Sequence, residues 1–300
     1  MSLLRPRQLA LALTAALPLV TWAHDTWVLP SSTLVTGRSQ SVVIDAAVST
    51  DLFIAERPLA WGDLRVTGPD GQPLPSGDRS ATALLSSVSV ELPVEGTYRF
   101  SNVSDSLMAS YQDAEGKTQR FRGTPAEFAQ KVPAGAKVLG VMHTLARQQT
   151  FVSREKASAP AFPPEGQGLE VLPLDAVNDL SDGDRTRFTL LLDGKPLAGE
   201  QLSLVREGNR YRYDRGEQTV TTDAKGQFTI AWAAPGRYWL GASHGERPSA
   251  PPAGAAPAPQ GGPGAPGAQG GPGGPMVTGG TREKPIERAS LSATFEVLPR

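Results

Sequence analysis

The sequence predicts an all-β protein, with two β-sandwich domains after a cleaved signal peptide. Short β-prone runs recur along both halves of the chain, and turn signals that contain Pro, Gly or Asp separate them. Many short strands at such spacing are typical of sandwiches. One helix signal interrupts the pattern, and an apolar segment of signal-peptide length stands at the amino terminus.

Residues 1–23 are predicted to form the signal peptide. Two arginines precede an apolar run over residues 9–20, which is shorter than the roughly 20 residues that a permanent membrane span requires. Small residues occupy the −3 and −1 positions of a cleavage site between Ala23 and His24. The mature chain would then begin with a histidine, which carries a free α-amino group beside its imidazole.

Composition excludes several classes of protein. The chain of 300 residues has 29 Lys and Arg against 30 Asp and Glu, so it offers no basic field for nucleic acid or an anionic membrane. It has no cysteine, which excludes disulfides, thiolate metal sites and a lipoprotein anchor. No second long apolar run follows the leader, so we expect a soluble, exported mature chain without a membrane span.

Residues 24–104 are predicted to form the N-terminal β-sandwich. Its β-prone runs lie at 41–48, 64–67, 88–92 and 97–103. The Pro-Asp-Gly sequence at 69–71 fits a tight turn, because proline fixes φ and glycine accepts a positive φ. In the last run Tyr98 and Phe100 share one strand face, as a half-buried strand requires.

Residues 105–165 are predicted to connect the two sandwiches through one short helix and an extended strand. Thr124 and Glu127 form a capping box, with a proline at the first helical position between them. Pro133 ends this helix, since proline cannot continue a helix. The chain resumes an extended conformation over residues 137–153, which carries it into the second half.

Residues 166–300 are predicted to form the C-terminal β-sandwich, which contains a disordered loop over residues 247–285. This loop is rich in Pro, Gly and Ala and has too little apolar surface to order itself. Apolar residues alternate over 289–298, which predicts a final strand. Because nothing follows that strand, we expect it to return across the loop and close the second sandwich.

A series of motifs, in a recognisable order, carries a family resemblance. They lie at 24–27 (HDTW), 168–174 (GLEVLPL), 183–184, 192–199 (LDGKPLAG), 222–226 and 235–244. The chain resembles exported bacterial proteins of unknown function that were once labelled as substrate-specific components of nickel uptake. The resemblance implies two immunoglobulin-like domains, a periplasmic location and a link to transition-metal acquisition. The second half is also similar to sandwich modules of the carboxypeptidase-regulatory type.

Histidines are the candidate metal ligands, and the chain has three of them. His24 would offer a ring nitrogen together with the α-amino nitrogen, which is available near neutral pH. A second imidazole would complete a nitrogen donor set that suits one Cu(II) or Ni(II) ion. His244 is the favoured partner because it ends a strand before the loop and the resembled family has a histidine there. Alternatively, His24 merely begins a strand and His244 is a solvated residue at the edge of a loop.

The third histidine and a basic hairpin are weaker candidates. His143 lies between Val141 and Leu145, so a strand would turn it to an apolar face. The competing expectation for it is a buried histidine hydrogen-bonded to the backbone. The hairpin is a candidate interaction surface, formed by Arg210, Tyr211, Arg212 and Tyr213. Its alternative is an ordinary solvated hairpin tip.

Three hypotheses of function follow from these residues. The first is a periplasmic accessory protein that binds Cu, Ni or Fe for uptake or delivery, with an outer-membrane receptor or an inner-membrane transporter as its partner. The second is a metal-free interaction module of the cell envelope. The third is a copper-dependent oxidative enzyme. The sequence has no serine nucleophile elbow, zinc-protease helix or phosphate-binding glycine loop, so we expect no catalytic residues.

Overall fold

A computed structural model describes residues 24–37, 40–158, 162–245 and 276–300. In these residues the protein is almost entirely β, as the sequence predicts, with one α-helix and one 3₁₀ turn. The predicted signal peptide, with Ala23 at its cleavage site, and most of the Pro/Gly-rich loop lie outside the described residues.

The described residues of the first half of the chain form ten strands. They are β1 (Asp25–Pro30), β2 (Leu34–Val35), β3 (Ser41–Ser49), β4 (Arg57–Pro58), β5 (Asp63–Thr67), β6 (Pro73–Leu74), β7 (Asp78–Ala81), β8 (Ser86–Glu91), β9 (Gly96–Gln112) and β10 (Thr118–Gly123). The helix α1 (Pro125–Lys131) follows them. Thr124 and Glu127 form the predicted capping box at its start.

The remaining strands follow the helix. They are β11 (Lys137–Arg154), β12 (Leu169–Pro173), β13 (Leu180–Ser181), β14 (Arg185–Leu192), β15 (Lys195–Pro196), β16 (Gln201–Arg206), β17 (Gln218–Thr221), β18 (Gln227–Ala231), β19 (Gly236–Gly245) and β20 (Ile286–Leu298). A 3₁₀ turn, Asn209–Tyr211, lies between β16 and β17. The prediction that the last strand returns across the loop is confirmed, because β20 pairs antiparallel with β19 along its whole length.

The described strands form three sheets. The N-terminal sheet has the order β1-β3-β8-β7, with β4 beside β3. The C-terminal sheet is built around β14, which pairs with β12, β15 and β18. The long sheet has eleven strands in the order β17-β16-β19-β20-β11-β9-β5-β6, with the short strands β2, β10 and β13 attached.

The long sheet is continuous through both halves of the molecule. β9 and β11, of 17 and 18 residues, pair antiparallel along their whole lengths, and β9 runs across the boundary predicted at residue 104. β11 then pairs in parallel with β20, from Met142 opposite Ile286 to Thr150 opposite Thr294. This parallel pair joins the strands of the first half to those of the second.

The two smaller sheets cover opposite faces of the long sheet. Successive strand residues point to opposite faces, so neighbours on β11 separate the two sides. Phe151 packs in the core with the C-terminal sheet, whereas Val152 packs in the core with the N-terminal sheet. Each half is therefore a two-layer sandwich. Among the described residues, the part of the long sheet formed by β16, β19 and β20 has the C-terminal sheet on one face only. A cleft described below lies on its other face.

The residues at the end of the predicted loop lie against β11. Val277 is buried against Met142 and Ile286, and its N–H donates to the Ser110 hydroxyl at 3.0 Å. The Val141 N–H donates to the Gly279 carbonyl at 2.9 Å. The chain therefore enters β20 along a defined path from residue 276 onward.

Candidate functional site

The start of β1 places His24 on the surface beside a glutamate. Its side chain is 51% exposed, and its Nε2 lies 3.8 Å from Oε2 of Glu56. Pairing of β4 with β3 folds the chain back so that Glu56 lies at the end of β3, where His24 also lies. The Thr50 backbone N–H donates to Glu56 Oε1 at 2.9 Å, which orients this carboxylate.

This geometry leaves the other ring nitrogen of His24 open, because the described residues supply no contact to Nδ1. A terminal α-amino group closes a small chelate ring with Nδ1 of its own imidazole and not with Nε2. At 3.8 Å from Nε2, the Glu56 carboxylate is a neighbouring charge and not a hydrogen-bond acceptor. The arrangement fits Cu(II) or Ni(II) held by nitrogen donors of a chain that begins at His24.

A polar cleft of about 700 Å³ lies beside His24. The start of β1 forms one wall, and the strands β16, β19 and β20 form the floor. The floor residues share one face of the long sheet, because residues opposite each other in the ladder point the same way. They are Gln201, Ser203, Trp239, Gly241, Ser243, Arg288, Ser290 and Ser292.

The Trp239 ring lies over Gly241 on the floor of the cleft, and its Nε1–H bonds to β1. A Cβ at Gly241 would stand 2.0 Å from the Trp239 ring, so only glycine leaves space for the indole there. The Trp239 Nε1–H donates to the Thr26 carbonyl at 3.0 Å. The guanidinium of Arg215 stacks over the indole, 5.5 Å from its centroid.

The carboxylates that line the cleft are already paired. Asp25 accepts from Arg215 at 2.5 Å. Burial raises the pKa of the Asp25 carboxyl above its usual value, although the Arg215 charge opposes this shift. Glu200 lies 2.6 Å from Nδ1 of His244. Neither carboxylate is therefore free to serve a ligand without losing its partner.

His244 does not meet His24 in this fold. On β19 it follows the alternation of Leu240 and Ala242, which face the core of the C-terminal sandwich. His24 stands at the cleft on the opposite face, beside the floor residue Ser243. The two favoured ligands thus have different carboxylate partners and lie on different faces of the long sheet.

His143 lies between two carboxylates on neighbouring strands. Its Nε2 is 2.7 Å from Asp105 on β9, and its Nδ1 is 2.7 Å from Glu287 on β20. The side chain is 20% exposed, so its partners are carboxylates at the surface and not the buried backbone groups considered from the sequence. Burial lowers the pKa of His143, but the two carboxylates outweigh it and leave the pKa raised.

The basic hairpin is docked on the first half of the chain at its base. Asn209 is buried and accepts a hydrogen bond from the Leu52 N–H at 3.1 Å. Arg212 folds back, donating to the Arg206 carbonyl at 2.7 Å. Of the predicted interaction residues, Arg210 lies 3.7 Å from Asp51, and Tyr211 and Tyr213 extend fully into solvent.

A buried charged cluster, which the sequence interpretation missed, joins the two halves. Arg99 and Arg147, on neighbouring strands of the long sheet, meet two glutamates. These are Glu165, in the segment that leads into β12, and Glu170, in β12 itself. A signal for it exists in the sequence, because Arg99 stands between Tyr98 and Phe100 in a buried strand. The sequence does not indicate which acidic residues Arg99 meets, because Glu165 and Glu170 lie far from it in the chain.

The described part of the chain contains no group of three or more His, Asp or Glu side chains placed to hold a metal ion among themselves. Separately, none of the helices in the ranges that the structure describes has the length and apolar character to cross a membrane.

Comparison with protein families identifies the relatives of this chain. The family described as Domain of unknown function (DUF4198) matches residues 21–246. The match covers most of the chain, which therefore belongs to this family. No curated protein matches the chain significantly.

Solved structures show only distant likeness. A DUF4785 family protein from Legionella pneumophila is 12% identical, with a TM-score of 0.21, and the match covers 71% of this chain and 48% of that protein. The tetra-tandem repeat of a large adhesion protein is 11% identical, with a TM-score of 0.21, and the match covers 92% of this chain and 74% of that one. Salmonella alpha-2-macroglobulin is 11% identical, with a TM-score of 0.19, over 73% of this chain and 22% of its own length. This chain thus spans about half of the Legionella protein, and none of these likenesses bears on function.

Proposed function

We propose that this member of the DUF4198 family is a periplasmic accessory protein with immunoglobulin-like domains that binds a transition metal for uptake or delivery. The observation that carries the proposal is the position of His24. It stands exposed at the start of β1, with Nδ1 open and Nε2 facing Glu56. Cleavage after Ala23 would add the α-amino nitrogen and create a two-nitrogen chelate at that position.

Cu(II) and Ni(II) are the metals that this donor set favours, since both accept nitrogen ligands in tetragonal geometry, and Fe fits it less well. The resemblance to proteins labelled as nickel-uptake components supports the same class of cargo. A partner in the envelope, either an outer-membrane receptor or an inner-membrane transporter, would receive or supply the ion. His244 has no part in this site, because it pairs with Glu200 on the other face of the long sheet.

The test compares the chain that begins at His24 with a variant that carries the four extra residues Gly-Ser-Gly-Ser before it. The extension keeps the imidazole but separates it from the α-amino group by four peptide units, so the two cannot close a small chelate ring. We expect calorimetric titration with Cu(II) or Ni(II) to give one site in the first chain and at least tenfold weaker binding in the second. His244→Ala should bind as the parent does. Equal binding by the extended and parent chains would refute the chelate.

The pH dependence of binding gives a second readout. Both nitrogens must be deprotonated to bind a metal, so affinity should fall as the pH is lowered from 8 to 5. Affinity that stays constant between pH 5 and 8 would contradict ligation by His24.

A second candidate function is recognition of an envelope protein without metal, and the exposed tyrosines favour it. Tyr211 is 82% exposed and Arg210 lies over its ring, 5.7 Å from the centroid. Tyrosine and arginine are enriched where proteins bind each other. A Tyr211→Ser/Tyr213→Ser variant that loses a cross-linked envelope partner while metal binding persists would favour this function. Loss of the partner in the extended chain alone would favour the metal site.

A further inference from the structure

The cleft beside His24 contains one cation that no carboxylate neutralises among the residues that the structure describes. Arg288, on β20, donates through Nε to the Ser243 hydroxyl at 3.0 Å and has no ion pair in those ranges. The other arginine that lines the cleft, Arg147, is bonded to Glu165. The carboxylates of Asp25 and Glu200 have their own cationic or imidazole partners. Within the described residues, Arg288 is therefore a cationic group in the cleft whose charge is available to contact an anion.

A buried hydroxyl on the same sheet face as this cation has no partner in the described residues. Ser292 lies four residues beyond Arg288 on that face of β20 and is 3% exposed, yet its Oγ makes no hydrogen bond to the described part of the protein. Buried polar groups are nearly always hydrogen-bonded, because an unsatisfied one has lost its contact with water without a replacement. Ser290 lies between Arg288 and Ser292 on that face, and its hydroxyl also has no hydrogen-bond partner in the described residues. These groups form a row that can donate to and accept from a polar ligand.

The dimensions of the cleft suit a small molecule. Its volume of about 700 Å³ lies within the range of roughly 300–1,000 Å³ that is typical of ligand pockets. Gly241 and the flat Trp239 ring give the floor a smooth section without a protruding side chain. A cleft of this volume suits a small molecule better than a protein domain, and such a molecule would lie between β1 and the floor.

We propose that this cleft is a binding site for a small hydroxycarboxylate. Its carboxylate would lie on the guanidinium of Arg288, which offers a planar pair of N–H donors. Its hydroxyl groups would satisfy Ser290 and Ser292. The ordinary solvated face of a sheet requires none of these features together: an unpaired arginine, a buried free hydroxyl and a glycine-cleared floor.

The site stands next to His24, which gives it a role in the proposed function. A hydroxycarboxylate held there would present oxygen atoms toward the His24 nitrogens, so the cargo would be a metal–hydroxycarboxylate complex and not a free ion. Only this last step depends on the metal site. Binding of the carboxylate by Arg288 does not require His24.

Citrate is the probe, and a matched pair of substitutions isolates charge from size. Ser290→Asp places a carboxylate beside Arg288, which neutralises the guanidinium and repels the ligand, whereas Ser290→Asn has the same shape without the charge. We expect metal-free citrate to bind the Asn variant more weakly than the parent, because the Ser290 hydroxyl is lost, and to bind the Asp variant at least tenfold more weakly than the Asn variant, as loss of a charge-assisted contact implies. Equal affinities of the Asp and Asn variants would overturn the site, as would no calorimetric response of the parent at millimolar citrate.

Arg288→Gln tests the cation itself, with Arg185→Gln on the exposed face of β14 as the control. Citrate affinity should fall at least tenfold in the first variant and stay unchanged in the second, while circular dichroism confirms that both are folded. The chain with the Gly-Ser-Gly-Ser extension before His24 separates the two proposals. If it binds citrate but not Ni(II), both proposals stand; if the parent binds Ni(II) but not citrate, the carboxylate site alone is refuted.

Discussion

The two apolar cores and the charged cluster between them are stabilised by different interactions. In the core of the C-terminal sandwich, Phe295 packs against Phe188, with ring centroids 5.3 Å apart, and against other apolar side chains. In the cluster, Arg147 is only 2% exposed, and its guanidinium forms an ion pair with Glu165. Apolar contact is non-directional and proportional to area, whereas a buried ion pair depends on every hydrogen bond around it.

The hydrogen bonds of Arg147 show how directional the cluster is. Its Nε donates to the Leu169 carbonyl and its Nη2 to the Gln167 carbonyl, both at 2.8 Å, while Nη1 reaches Glu165. Arg99 lies 3.2 Å from the same glutamate. Burial raises the pKa of Glu165, but the two guanidinium charges outweigh it and hold the pKa below its usual range. The segment that enters β12 is thereby fixed on the long sheet by charge.

The largest effect should follow replacement of Arg147 by methionine. The side chains have similar lengths, but the variant leaves Glu165 with one less cation and removes the donors to two buried carbonyls. We expect the free energy of unfolding to fall by about 3–5 kcal/mol, the usual cost of breaking a buried pair. Urea unfolding measures it. Arg187→Met, which removes an exposed pair with Asp175, is the control and should leave stability nearly unchanged. A small loss at Arg147 would show that the cluster behaves like the apolar cores.

The same kind of substitution in an apolar core should be far milder. Leu291 is buried in the C-terminal core, and Leu291→Met conserves both volume and apolar character. We expect a loss of less than about 1.5 kcal/mol, as for other volume-conserving swaps. The same urea titration provides the measurement. A loss as large as that of Arg147→Met would contradict the distinction between contact by area and contact by directed bonds.

The smallest effect should arise at His143, where β11 continues out of the cluster to the surface. Its pKa is raised by Asp105 and Glu287, so the folded protein binds its proton more tightly than the unfolded chain. The resulting stabilisation is complete below about pH 6.5 and disappears as the pH rises through the raised pKa. At this partly exposed site we expect no more than about 1 kcal/mol.

His143→Gln should therefore lower stability at pH 5.5 and have little effect at pH 9, as measured by urea unfolding at both values. The buried cluster has the opposite sign, because the lowered pKa of Glu165 means that its stabilisation is lost as the pH falls. A His143→Gln effect that is the same at both pH values would show that the imidazole is a packing group and not a charged bridge.

Local features of the chain were predictable where a short segment contains all the information. The capping box at Thr124 and Glu127 and the strand around Leu291 depend on neighbouring residues, so their chemistry is readable from the sequence. Charge neighbours were not predictable. Glu56 and Glu287 reach their histidines only after strands pair.

By itself, the sequence determined the all-β class, the strand alternation and the candidate histidines, because each depends on residue type and local spacing. Only the tertiary structure decided that β11 pairs with β20, and this one pairing sets which face each side chain occupies. It separates His24 from His244, buries Arg147 against Glu165, and places Arg288 in the cleft. A shift of strand register by one residue would reverse every one of these placements, and register depends on contacts between residues far apart in the chain.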